Sequence, residues 1–141
     1  MNQAEIAQVL EEYIEANWVH TPYSYEGLPP INLDLPNQPL LEKGSDDYVI
    51  FDIIVDASVA ASVGTSCNRQ YGYLTAAIYV KEDTGRRAEK TYKDLLNGLF
   101  RYQTISGNLR IKEFLDDGAF KADGWAIYAC QWPFETEDYN P

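Results

Sequence analysis

The chain has one histidine, two cysteines and only half as many basic residues as acidic ones, and each shortage removes a class of function. With His20 the sole imidazole, any Ser–His–Asp or Cys–His arrangement would have to use it. It lies just before Pro22 at the expected end of a helix, where a partly exposed place near the helix C-terminal dipole accounts for it. Cys67 and Cys130 stand far apart with no C-x-x-C spacing, so they read as free thiols of a reducing compartment, neither metal ligands nor a disulfide framework. The formal charge of −11, from 22 acids and 11 bases, repels a phosphate backbone and an anionic membrane alike. The longest apolar run, Val49 to Val55, is broken by Asp52 and falls far short of the ~20 residues of a membrane helix. Met1 to Leu10 lack a basic stretch followed by an apolar one, so no secretory signal is expected.

Chemistry-bearing constellations are equally sparse. The carboxylate pairs Asp46-Asp47 and Asp116-Asp117 are adjacent in sequence, which in a strand sends them to opposite faces and beside glycine marks a solvated turn. Asp83-Thr84-Gly85-Arg86-Arg87 places a glycine and two arginines at a helix start, a weak anion-site signal without the repeated glycines of a nucleotide loop. No catalytic residue, cofactor site or metal site is expected.

What the sequence does hold is a core and an excess of tyrosine. At 141 residues and 45% hydrophobic it fits one domain, residues 1–141, large enough to bury its own core. Its 11 tyrosines suit half-wet surfaces and subunit contacts, each having an apolar body and a polar tip.

Ile6, Val9, Leu10, Tyr13, Ile14 and Trp18 recur at helical spacing opposite Gln8, Glu11, Glu12 and Glu15, which predicts a first helix over about residues 3–18. Residues 22–47, with Pro22, Pro29, Pro30, Pro36 and Pro39, read as an extended arm pinned to its own core or to a neighbour by Leu28, Ile31, Leu33, Leu35, Leu40 and Leu41. From Val49 to Val63 apolar residues alternate with Asp52, Asp56, Ser58 and Ser62, the period of a long strand with one buried face. A turn is expected over Gly64 to Gln70. The return strand puts Leu74, Ala76, Ile78 and Val80 on one face and Tyr71, Tyr73, Thr75, Ala77 and Tyr79 on the other. That tyrosine face is either a second core layer under a helix or a subunit contact.

A second helix carries Ala88, Tyr92, Leu95, Leu96, Leu99 and Phe100, with Ser106-Gly107 as its stop. Two more strands follow, over Leu109 to Leu115 and Trp125 to Phe134, separated by turns at Asp116-Asp117-Gly118 and Asp123-Gly124. The acidic tail 135–141 is expected to fray. The fold class is therefore α+β: one mixed or antiparallel sheet with a long hairpin and two helices packed on it. Phe51, Ile53, Val55, Leu96 and Leu99 are the expected core.

The run from Gly64 through Arg69 and Gly72 to Val80, then Thr84-Gly85-Arg86 and a helix ending Leu99-Phe100-Arg101, resembles the tail terminator family of long-tailed bacteriophages. Tyr25-Glu26-Gly27-Leu28-Pro29 resembles the post-helix segment of that family, and the Trp125 to Phe134 strand fits it as well. The resemblance spans most of residues 3–134 and is one of element order with scattered residues. It implies a virion structural protein, assembled in the host bacterial cytoplasm, that forms a hexameric ring at the end of the tail tube and stops its polymerisation. Its implied partners are copies of itself, the tail tube protein and the head–tail connector or stopper protein. DNA would pass through the ring without sequence-specific contact, and no membrane is involved. The family carries no catalytic residues to transfer. Arg69, Tyr71, Tyr73, Tyr79, Arg86 and Arg87 are the candidate subunit-contact residues. Residues 86–112 hold seven bases against two acids, a net +5 that leaves −16 elsewhere, so this segment is a candidate basic plug for an acidic neighbour. Rival readings are another neck or head-completion protein, or a small ligand-binding or enzymatic domain using the tyrosine face and the Arg86-Arg87 turn.

Overall fold

The computed structural model describes residues 3–21, 23–25, 47–60, 67–81, 87–122 and 124–139, with backbone alone for 56–60, 67, 68, 122 and 137–139. Helix α1 runs Gln3–Asn17, followed by strand β1 (Tyr23–Tyr25), the long strands β2 (Tyr48–Ala60) and β3 (Cys67–Lys81), and helix α2 (Arg87–Phe100). Strands β4 (Thr104–Ile105), β5 (Leu109–Ile111), β6 (Leu115–Ala122) and β7 (Trp125–Tyr139) complete the order. The sheet order is β1-β2-β3-β7-β5-β4, with β6 also pairing β7. Every pairing is antiparallel except β1 with β2, which is parallel. The fold is α+β with a mixed sheet, as the alternation of periods implied.

The core lies between one face of the sheet and both helices. From α1 come Ile6, Leu10 and Ile14, joined by Trp18 just past its end, and the four-residue steps keep them on one stripe. Strands β2 and β3 contribute Val49, Phe51, Leu74, Ala76, Ile78 and Val80, and β7 contributes Tyr128, Cys130, Trp132 and Phe134. Leu96 and Phe100 of α2 close the layer. Of the expected core, Phe51 and Leu96 are fully buried, while Ile53, Val55 and Leu99 pack against it partly buried. Two polar side chains in this layer find partners: Trp132 Nε1 donates to Asn97 Oδ1 at 2.9 Å, and the Tyr13 hydroxyl donates to the Leu99 carbonyl at 2.8 Å. The second bond ties the two helices together over the sheet.

Several sequence expectations need correction. Tyr23–Tyr25, assigned to the proline-rich arm, forms β1 beside Val49–Phe51. The rest of that arm, residues 26–46, lies outside the described residues. Cys67 to Gln70, expected in the turn, already belong to β3, and residues 61–66 are likewise outside the description. Helix α2 ends at Phe100, where Tyr102 takes a left-handed conformation (φ 58°), a turn before Ser106-Gly107. Those two residues instead turn β4 into β5 with φ of 53° and 83°. The last third holds four strands where two were expected. Asp116-Asp117-Gly118 is a bulge inside β6, with the Gly118 amide donating to Asp116 Oδ1 at 2.9 Å. The expected frayed tail is paired as far as Tyr139, because β3 is long enough to template it from Cys67 to Tyr71.

The reason Glu135 tolerates a strand is electrostatic. Lys112 Nζ and Arg110 NH2 approach its Oε1 at 3.0 and 3.1 Å. The Lys112 hydrogen bond, followed by that of Arg110, outweighs burial and lowers the Glu135 pKa below its usual 4.5. A depressed carboxylate stabilises the fold above its unfolded pKa and loses that contribution as pH falls through the folded value. Urea unfolding at a series of pH values should therefore show stability dropping below about pH 4.5. Glu135→Gln should be less stable at neutral pH and flatter in that acid window. Parallel profiles for the two proteins would mean the pair contributes nothing.

Candidate subunit-contact face

Residues directly opposite in an antiparallel ladder point to the same face, so the register defines the side of the sheet away from the helices. Ile50 and Ile54 of β2 stand opposite Ala77 and Tyr73 of β3, and these opposite Ala129 and Pro133 of β7. Tyr48, Tyr79 and Ile127 continue the face at one end, and Tyr71 at the other. No described helix covers it, since both helices contribute to the opposite layer. The open alternatives for the tyrosine face thus narrow: it is no core layer beneath α1 or α2.

The bulge in β6 changes what this face presents. Leu115 and Phe120 are five apart and would face opposite ways in a regular strand. The extra residue between Asp116 and Gly118 resets the alternation, and Leu115 pairs with Gln131 while Phe120 pairs with Ile127. Both side chains therefore join the open face. Six large apolar side chains are exposed among the described residues, and four of them, Ile54 (42%), Tyr71 (37%), Leu115 (38%) and Phe120 (58%), lie here. Apolar exposure concentrated on one side marks a contact surface, whereas scattered single residues do not.

At one end of the face the aromatics have found each other. Tyr48 and Tyr79 stack with centroids 4.3 Å apart, and Trp125 meets Tyr48 edge-on at 5.2 Å. Burial, reinforced by the neighbouring Tyr79, raises the Tyr48 pKa well above the usual tyrosine range, so the hydroxyl stays protonated. At the other end Arg69 NH1 donates to the Tyr71 hydroxyl at 3.5 Å, the long limit for such a bond.

The candidates divide accordingly. Arg69, Tyr71, Tyr73 and Tyr79 share the open face of β3, with Tyr79 occupied by its stack on Tyr48. Arg87 is exposed but begins α2, in the helix layer, so it is not brought to the tyrosines. Arg86 lies outside the described residues. The basic segment is also less available than its net charge implied. Lys93 bridges the buried Glu89 at 3.1 Å and Asp116 at 3.0 Å, while Arg110 and Lys112 hold Glu135. Burial alone would lower the Lys93 pKa, but the hydrogen bonds to Asp116 and Glu89 prevail and raise it. These three bases act within the fold, Lys93 pinning the β6 bulge to α2. Sequence reasoning missed Leu115 and Phe120, whose shared face depends on the bulge.

The remaining chemistry is quiet. Cys130 is a buried free thiol whose pKa is pushed up to about 12, chiefly by desolvation. His20 packs edge-on against Trp18 at 5.1 Å. No group of three His, Cys, Asp or Glu side chains suited to a metal occurs among the described residues, and no described helix is long and apolar enough to cross a membrane.

No protein-family model and no curated protein sequence matches the chain. Ten chains of known structure do match. One of them superposes with a TM-score of 0.68 over 100% of this chain and 99% of its own length, at 13% identity. At that identity the likeness is one of fold.

Proposed function

We propose that the protein is a structural subunit of a phage tail, acting as a tail terminator. It assembles into a ring, six copies being the number the family resemblance implies, which ends tube growth and offers a surface to the head connector. The reading assigns it no catalytic step, cofactor or metal. Its place is the tail or neck of the virion, with copies of itself, the tube protein and the connector as partners. The observation that carries the association is the open sheet face, where Ile54, Tyr71, Leu115 and Phe120 stand exposed together. The element order that resembles the tail terminator family supplies the identity of the assembly. Heterologous contacts between two different patches close rings, and the apolar face supplies one of the two.

Light scattering on the purified chain tests this. Six chains of 16.0 kDa give a particle of about 96 kDa. The wild type is expected to form it, and the pair Leu115→Asp with Phe120→Asp is expected to run as a folded monomer. A wild type that stays monomeric at every concentration, alone and with tail tubes, would overturn the reading. Reversing Arg86 and Arg87 to glutamate should weaken assembly at low salt if the start of α2 meets an acidic neighbour.

A further inference from the structure

The two helices lie side by side on the sheet, and each turns its charged side away from the other. The Tyr13 hydroxyl of α1 donates to the Leu99 carbonyl, and the Trp18 ring meets that of Tyr92 at 6.4 Å. Tyr13 on one helix, and Tyr92 and Leu99 on the other, therefore mark the sides that face each other. Residues two apart in a helix stand about 200° apart around its axis. Glu11 and Glu15 flank Tyr13 at that spacing, and Lys90 and Arg101 stand at it from Tyr92 and Leu99. Arg101, just past the end of α2, continues its spiral, since its amide donates to the Asn97 carbonyl at 3.0 Å. The acids thus occupy the far side of α1, and the bases the far side of α2.

Contacts with the sheet show that these are opposite flanks of the molecule. The Tyr25 hydroxyl of β1 donates to the Glu11 carbonyl at 3.4 Å. Burial, and after it the charge of Glu15, raises the Tyr23 pKa, so both acids border the β1 edge. On the α2 side, Lys93 reaches Asp116 of β6 and lies over the Tyr128 ring at 5.3 Å, so this side borders the β6 edge. Strands β1 and β6 stand on opposite sides of β2, β3 and β7. The sequence of α1 holds Glu5, Glu11, Glu12 and Glu15 and no base. Arg87, Lys90 and Arg101 are exposed and make no ion pair among the described residues, and Asp94 is the one exposed acid of α2. Glu113 and Asp117, exposed near Asp116, temper this flank, so its attraction is carried by the helix stripe. Each stripe ends in an exposed apolar side chain. Val19 (78%) stands four residues beyond Glu15, and Tyr102 (63%) stands beside Arg101, whose guanidinium is 5.0 Å from its ring centre. These are the two large apolar exposures that the open sheet face does not account for.

We infer that the acidic side of α1 in one copy docks on the basic side of α2 in the next, Glu11 and Glu15 facing Lys90 and Arg101. The inference rests on the ring reading above and names the two patches of its contact. Because the stripes sit on opposite flanks, every copy offers one of each. The contact then repeats in one direction around the assembly, as a heterologous interface must to close a ring. Like stripes repel, which disfavours a two-fold pair through either flank. Exposed ion pairs are individually weak, so the charges fix the register and speed the encounter. Affinity comes from apolar burial, by Val19 and Tyr102 at the ends of the stripes and by Leu115 and Phe120 on β6, the strand that borders the basic flank.

Charge reversal in two separate chains tests the contact by light scattering. Glu11→Lys with Glu15→Lys gives a chain with bases on both sides of the contact, and Lys90→Glu with Arg101→Glu a chain with acids on both. Each variant alone is expected to need at least about tenfold more protein than the wild type to assemble. An equimolar mixture should recover wild-type assembly. Copies of the two kinds then alternate with opposite charges at every contact, an order that closes in a ring of six. All four changes in one chain should likewise assemble, and rising salt should weaken assembly of the wild type. Circular dichroism and melting of each variant alone check that it is folded. Glu11→Gln with Glu15→Gln, which keeps the side-chain size, should give a milder form of the same loss. Reversed variants that assemble at the wild-type concentration, or a mixture no better than its components, would overturn the contact and leave the ring standing. A wild type that stays monomeric overturns the ring reading and this contact together.

Discussion

Phe51→Ala is expected to destabilise the protein by about 4 kcal/mol, a large share of the total stability of a domain this size. Phe51 is fully buried and touches three separate parts of the chain. Its ring meets Trp18 at the end of α1 at 6.4 Å, Tyr23 and Tyr25 of β1 at 6.0 and 6.3 Å, and Phe100 at the end of α2 at 6.2 Å. Removing it opens a cavity bordered by three elements, each held elsewhere, so the site cannot collapse to fill the space. Thermal and urea unfolding should show the loss, and the probes should disagree in an informative way. Hydrogen exchange in β1 should rise more than in the β3–β7 ladder, because β1 has three paired residues and two of its tyrosines rest on this ring. A loss below about 1 kcal/mol would mean that the surrounding rings close over the gap.

How much of this was legible in the sequence depends on the range of the interactions. The stripe of Ile6, Leu10 and Ile14 and the alternation through Leu74, Ala76, Ile78 and Val80 are local signals, and the buried faces follow them. Strand β1 was not legible. Three residues beside Pro22 carry no period, and their strand state comes from pairing with Val49 to Phe51, more than twenty positions on. The acidic end of β7 misled for a related reason. Glu135, Glu137 and Asp138 read as a solvated tail, yet β3 pairs with that stretch and Arg110 and Lys112 neutralise Glu135. In β6 the composition Asp-Asp-Gly suits a turn and a bulge equally, since both readily take a glycine at positive φ, here Gly118 at 100°. Choosing the turn hid the shared face of Leu115 and Phe120. The candidate surface was thus half visible: the tyrosines of β3 by alternation, the apolar residues of β6 only through the register.

Among the described glycines, Gly72 has the least room for a side chain. It lies in β3 between two paired strands, opposite Val55 and Phe134. A Cβ added there would collide with the Ile54 carbonyl oxygen and stand 2.6 Å from the Phe134 ring. The carbonyl comes close because β2 bulges between Val55 and Ala57, which bends the strand toward its partner. The ring of Phe134 then lies over the bare backbone of Gly72 and fills the side-chain space that the glycine leaves empty. Gly72→Val should therefore cost about 3 kcal/mol or more, because a backbone carbonyl cannot rotate aside as a flexible side chain would. Gly98 is the control. It is exposed in α2 with nothing within 4 Å of an added Cβ, so Gly98→Ala should stabilise by about 0.5–1 kcal/mol through helix propensity. Melting temperatures of the two variants should move in opposite directions. Shortening Phe134 as well, in Gly72→Ala with Phe134→Leu, should recover only part of the loss of Gly72→Ala, since the Ile54 carbonyl remains in the way. Full recovery would place the whole constraint on the ring, and the bulge would then have no part in it.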